Sequence, residues 1–213
     1  MALNDELLRL HEKVRYYSFE TFKNTPSEPG VYCWLYPLRL KGCDLKDFID
    51  EINIIFNFNY DDSKKGEPNT KFNMGWRSYA LSREYKKINS SAPFIKKWEK
   101  LYKNAALSGD AIDLDELKKI MFISSVFMPP LYIGKASDLS IRCQQHIVGT
   151  TDDKNNFHNR FKNYAKIHNT SCRSVEDLIF ACISTKQFGI DEKYEDLLEK
   201  MLMQLVKPLY SIK

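Results

Sequence analysis

The chain has 213 residues, of which 43% are hydrophobic and 28% charged, with 12 Tyr, 13 Phe and 3 Trp. Such a chain can bury a core, which excludes disorder as its main state, and no apolar run approaches the roughly 20 residues of a membrane helix. The formal net charge is +4, which is mildly basic and does not by itself select a nucleic-acid partner.

The first 14 residues alternate Leu with charges and lack an apolar core, so no signal peptide is expected. The five cysteines (Cys33, Cys43, Cys143, Cys172, Cys182) form no paired spacing. They read as reduced thiols in a cytoplasmic protein with no structural zinc site.

Leu3, Leu7, Leu10 and Val14 predict a helix over 4–15. After a turn at 25–29, Gly30 to Tyr36 alternates as a strand. Val31, Cys33 and Leu35 share one face; Tyr32, Trp34 and Tyr36 share the other. Residues 44–56 look helical, 57–73 read as a loop, and Phe94, Trp98, Leu101 and Ala105 give a second helical stripe. Residues 114–127 are helix, strand or both in succession.

A short strand follows at 131–135. Ser137 can cap a helix over 138–147, with Leu139, Cys143 and Ile147 inward and Arg142 and His146 projecting together beside them. A third strand is expected at 178–183. A long helix is expected at 190–206, ended by Pro208.

Basic residues concentrate in two stretches. Residues 83–103 hold Arg83, Lys86, Lys87, Lys96, Lys97, Lys100 and Lys103 against two acids. Residues 154–173 hold Lys154, Arg160, Lys162, Lys166 and Arg173 with no acid. Each is a polyanion footprint or a solvated lysine face. Phe157-His158-Asn159-Arg160-Phe161-Lys162 interleaves aromatics with donors. It suits contact with a nucleic-acid backbone, or a helix whose phenylalanines face a core.

Pro29-Gly30-Val31-Tyr32 and Leu131-Tyr132-Ile133-Gly134-Lys135-Ala136 resemble the paired motifs of the GIY-YIG nucleases. Asp138-Leu139 followed by Arg142 resembles the helix that brings that family's arginine to the scissile phosphate. Glu199 ahead of Pro208 and Tyr210 resembles the terminal segment with the metal-binding glutamate; Ser211 stands where the family has asparagine. Phe22 to Pro26 looks like the lead-in turn of the excision-repair incision subunit. Arg142 with His146 is similar to the pairing in GIY-YIG type II restriction enzymes.

The resemblance implies an α+β fold with a small three-stranded antiparallel sheet flanked by helices. Residues 1–37 would supply the N-terminal helix and first strand, and 130–213 the remainder. Residues 38–129 would be a large, mostly helical insertion between the first two strands.

It also implies a Mg²⁺- or Mn²⁺-dependent DNA endonuclease of restriction or phage-defence type. Phosphodiester hydrolysis needs an activated water, charge stabilisation at phosphorus and help for the leaving oxygen. Glu199 would hold the metal by one hard carboxylate, since such ions keep several waters. Arg142 would grip the phosphate with its planar fork. Tyr32, set beside Lys135, would act as general base, with Tyr132 and His146 hydrogen-bonding the water or phosphate. Each has a plainer alternative: core tyrosines, surface charges, a helix-end histidine, a solvated Glu192–Glu195–Glu199 stripe.

Arg160 and Lys162 are expected to contact phosphates. Arg77, Arg83, Lys96, Lys97 and Lys100 are expected to read the target from the insertion. A homodimer would match cutting of both strands by two-fold symmetry. The rival expectations are a non-cutting DNA- or protein-binding module and a subunit activated by a defence-system partner, with Trp76 and Trp98 as exposed anchors.

Overall fold

The computed structural model describes residues 10–39, 114–128, 130–149, 156–167, 170–186, 192–206 and 208. The chain divides into two compact units, one formed by Met1–Pro37 with Phe127–Lys213 and the other by Leu38–Val126. The helices expected over 44–56 and 94–105 lie outside the described residues. So do Arg77, Arg83, Lys96, Lys97, Lys100, Trp76, Trp98, Tyr210 and Ser211.

The first unit is built on a four-stranded antiparallel sheet, where three strands were expected. Its strands are β1 (Val14–Tyr17), β2 (Gly30–Leu35), β3 (Tyr132–Ala136) and β4 (Ile179–Ser184), in the order β1-β4-β2-β3. The additional strand is β1. Of the helix expected over 4–15, residues 4–9 lie outside the described residues; Leu10–Lys13 is helical (α1), and from Val14 the chain is extended. Val14, Tyr16 and Tyr17 are branched or aromatic, and pairing with β4 from Val14↔Ile183 to Tyr17↔Phe180 satisfies their backbone. Tertiary pairing thus overrides the helical spacing that Val14 completes in the sequence.

Strand alternation divides the sheet into two chemically distinct faces. Tyr32 and Trp34 of β2 lie on one face, with Tyr132 and Gly134 of β3 and Phe180 and Cys182 of β4. Trp34 is fully buried. Its ring meets Phe180 at 5.0 Å, Phe22 at 5.8 Å and Phe157 at 6.0 Å. The other face carries Val31, Cys33, Ile133, Ala181 and Ile183, and Leu202 and Val206 join them around an apolar cavity of about 200 Å³.

Three helices dress these faces: α3 (Leu139–Val148), α4 (Phe157–Ile167) and α5 (Glu192–Val206). Through Leu202 and Val206, α5 covers the aliphatic face. On the aromatic face, α4 buries Phe157, Phe161 and Ala165, and α3 buries Leu139, Cys143 and His146.

The cap of α3 is Asp138 rather than Ser137. Its carboxylate accepts from Ile141 N at 2.8 Å and from the Ser27 hydroxyl. The Ser27 hydrogen bond, followed by that of Ile141, holds the Asp138 carboxyl below its ordinary pKa. Leu139 N and Ser140 N donate to the Glu28 and Pro26 carbonyls at 3.0 and 3.1 Å. The free N–H groups of the first turn are therefore anchored to the turn that precedes β2. This fixes α3, and every residue it projects, against β2.

In the second unit, α2 (Leu114–Ser124) leads into the 3₁₀ turn that begins at Ser125, so the described residues of 114–127 are helical and form no strand. Leu38 N donates to Ser125 Oγ at 2.7 Å, and Arg39 lies 5.9 Å from the Phe122 ring centre. Among the described residues, no helix is long and apolar enough to cross a membrane.

Gly134 is held to glycine by side chains of the site itself. It pairs directly with Tyr32, and a Cβ there would lie 2.6 Å from Tyr32 Oη and 2.9 Å from Tyr132 Cε1. Gly134→Ala is expected to cost about 1–3 kcal/mol by overpacking. Part of that cost should be recovered in a Tyr32→Leu background, which removes both the Oη and the Cζ that the new Cβ would meet. Urea unfolding of the four forms measures the coupling, and additive costs would contradict the contact.

Candidate active site

Four of the residues expected to carry chemistry meet on the aromatic face. Tyr32 Oη lies 2.7 Å from His146 Nε2 and accepts a hydrogen bond from Arg142 Nε at 3.1 Å. The Tyr132 ring stacks on Tyr32 at 6.0 Å and stands edge-on to His146 at 5.1 Å. The Tyr132 hydroxyl also interacts with both Tyr32 and Arg142. Residues about one hundred positions apart are brought together because β2 and β3 pair and α3 crosses them.

The polarity of this cluster follows from its donors. Arginine can only donate, so Tyr32 Oη accepts from Arg142, and the histidine tautomer decides whether Tyr32 or His146 donates in the bond between them. Burial, followed by the charges of Arg142 and Arg160, pushes His146 down to about 3. Burial, followed by Tyr132, pushes Tyr32 well above the usual phenol value, and Arg142 only partly opposes this. At neutral pH the pair is an uncharged phenol hydrogen-bonded to an uncharged imidazole.

Exposure divides the cluster. Tyr32 is 2% exposed and His146 6%, whereas Arg142 and Tyr132 are half-buried and reach the surface. Arg142 is further fixed by donating from Nη1 to Gln145 Oε1 at 3.0 Å. With Nε and one Nη1 hydrogen committed, its remaining N–H groups are those available to an incoming anion.

Lys135 is not beside Tyr32. It pairs in register with Val31, one residue out of phase with the Tyr32↔Gly134 pair, and so projects from the opposite face. There its ammonium meets Asp196 of α5 at 3.1 Å, and Asp196 also bonds Lys200 at 2.5 Å. The Lys200 hydrogen bond, then that of Lys135, lowers the Asp196 carboxyl below its usual range. An ammonium that lowers the Tyr32 pKa is therefore not part of the site; Arg142 is the cation at that phenol.

Glu199 stands on α5, the helix packed on the aliphatic face. It is half-buried, interacts electrostatically with Lys200 and makes no hydrogen bond to a described residue. Its free carboxylate oxygens fit a hard divalent ion that keeps most of its waters. Glu195 does not belong to a solvated stripe: it is 4% exposed and bonded to the Thr185 hydroxyl. That bond ties α5 to the end of β4, where Thr185 N also donates to Pro29 O at 3.0 Å.

On α4, Phe157 and Phe161 are buried in the core, so they do not stack on a ligand. Arg160 is half-buried and acts on His146, while Lys162 is exposed. His158 Nδ1 lies 3.1 Å from His146 O, joining α4 to the C-terminal end of α3. The sequence reading missed Gln145 and Asp196. The first sits three positions from Arg142, a helical contact spacing that could have revealed it. The partnership of Asp196 with Lys135 depends on how α5 packs, which no local pattern encodes.

Compared with known protein families, curated proteins and solved structures, the chain matches none.

A buried neutral histidine makes stability depend on pH. His146 has a folded pKa of about 3 against an ordinary 6.5, so between these values the unfolded chain binds more protons. Its contribution is fully present above pH 6.5 and is lost as pH falls toward 3. Histidine NMR shifts should show no His146 titration between pH 5 and 8. The acid-side slope of stability in that window should shrink in His146→Phe. A His146 midpoint near 6.5 would contradict the assigned environment.

Proposed function

We propose that the chain is a phosphodiester hydrolase of the GIY-YIG type that acts on DNA with Mg²⁺ or Mn²⁺. The observation that carries this reading is the convergence of Tyr32, Tyr132, Arg142 and His146 at one point of the sheet. Their polar ends offer a phosphate grip, an accessible phenol and a proton acceptor within one cluster.

The phosphate sits against the remaining N–H groups of Arg142, next to the Tyr132 hydroxyl. An anion there offsets the cation that helps hold His146 neutral, and so raises the basicity of His146. The attacking water forms the new P–O bond and gives its proton to the Tyr32 oxygen as the Tyr32 proton passes to His146 Nε2. This route avoids a free phenolate, which the burial of Tyr32 disfavours. Arg142 stabilises charge on the phosphorane as the P–O3′ bond breaks. When bound, the divalent ion supplies Lewis-acid stabilisation and helps the departing oxygen. Glu199 would hold it, with Lys135 and Asp196 on the same side of the sheet. β3 is an edge strand, so the proposed scissile phosphate lies along its open edge, between groups from the two faces.

A second reading draws on the same geometry. Arg142 and Glu199 stand on helices packed against opposite faces, which suits a binding module or a subunit assembled into activity by a partner. The association with restriction or phage defence, and a homodimer that cuts both strands, rest on the resemblance to restriction enzymes.

Cleavage of unmodified plasmid and phage DNA in Mg²⁺ and Mn²⁺ separates these readings. Discrete or nicked products are expected from the wild type, reduced at least about 100-fold in Glu199→Ala. DNA binding without cleavage by any form would sink the hydrolase and favour the module.

A further inference from the structure

The helix α4 has two faces of opposite chemistry. Phe157, Phe161 and Ala165 recur at i, i+4 and i+8 and are buried. Asn159, Lys162, Asn163 and Lys166 recur at i, i+3, i+4 and i+7 on the far side. Lys162, Asn163 and Lys166 are exposed, and Asn159 is half-buried. The helix contains no acidic residue, and neither lysine forms an ion pair with a described residue. Arg160 lies off this stripe, with its charge acting on His146.

The stripe is held rigidly to the site. The Phe157 ring lies 5.1 Å from Tyr132 and 5.5 Å from His146, and His158 bonds the His146 carbonyl. Whatever the stripe binds is therefore held in register with Arg142. Its chemistry is ammonium alternating with amide, which matches phosphate oxygens at successive positions. The described apolar side chains of α4, Phe157, Phe161 and Ala165, are all buried, and the exposed stripe is polar.

We propose that Asn159, Lys162, Asn163 and Lys166 form a track for the sugar–phosphate backbone of duplex DNA, which positions one phosphate at Arg142; this rests on the nucleic-acid reading of the site given above. The two lysines neutralise phosphates and release counterions, while the asparagines fix the strand without adding charge. The basic run over 154–173 is thus divided by the fold: Arg160 serves the site, and the exposed stripe serves the duplex.

The test is fluorescence anisotropy of the full chain with a labelled duplex of about 30 base pairs, in EDTA, across a salt series. Lys162→Gln/Lys166→Gln should lower the slope of log affinity against log salt by about two and weaken binding at least about tenfold. The Lys162→Glu/Lys166→Glu pair should weaken it further. Lys186→Gln, an exposed lysine beyond β4, should leave the slope near the wild-type value. Far-UV circular dichroism checks that each variant folds. An unchanged slope in the α4 variants overturns the track, and so does an equal loss in the Lys186 control. A wild type that binds with an α4-dependent slope yet cuts nothing in Mg²⁺ or Mn²⁺ keeps the track and sinks the hydrolase. A wild type that cuts, with α4 variants that bind normally, sinks only the track.

Discussion

The Tyr32 side chain crosses the backbone of Gly134 on the neighbouring strand, and the site depends on that crossing. Only a residue without a Cβ leaves room for a phenol there. Once the ring lies across β3, its hydroxyl reaches the helix on that face and meets both Arg142 and His146. The glycine of one strand and the tyrosine of the other are therefore a single steric device. Each sequence motif supplies half of it, and strand pairing joins the halves.

The anchoring of α3 completes the arrangement. Asp138 and the 26–28 carbonyls hold its first turn, so Arg142 and His146 project from a fixed start. The aromatic core of Trp34, Phe157 and Phe180 then packs against the rings of His146 and Tyr32 and largely desolvates them. Desolvation keeps the phenol protonated and the imidazole neutral, so the resting pair is poised rather than charged. The surface-reaching members, Arg142 and Tyr132, are the ones that a substrate meets on the proposed reading. Function on this account is divided between an exposed grip and a buried proton pair, and a substrate anion couples the two.

Much of this was legible in the sequence, for physical reasons. β2 has alternation strong enough to assign Tyr32 and Trp34 to one face before any pairing is known. Arg142 and His146 share a helix face by spacing alone. Other features depended on non-local information. β1 has four residues and no strand signal that outweighs the helical spacing ending at Val14, so only its pairing with β4 defines it. Lys135 looked like a neighbour of Tyr32 because it follows the Tyr-Ile-Gly run, yet register places it opposite Val31 on the other face. Glu195 looked solvated on a charged helix, but the packing of α5 buries it against Thr185. Ser137 and Asp138 are adjacent cap candidates, and the carboxylate that also reaches Ser27 is the one used.

The most direct test of the central claim is the single-turnover rate of DNA cleavage by Arg142→Ala, with its urea midpoint measured beside the wild type. Arg142 is the member that joins the exposed grip to the buried pair, so its loss should lower the rate by about 100-fold or more while the fold persists. Cleavage at close to the wild-type rate by a folded Arg142→Ala protein would contradict the account.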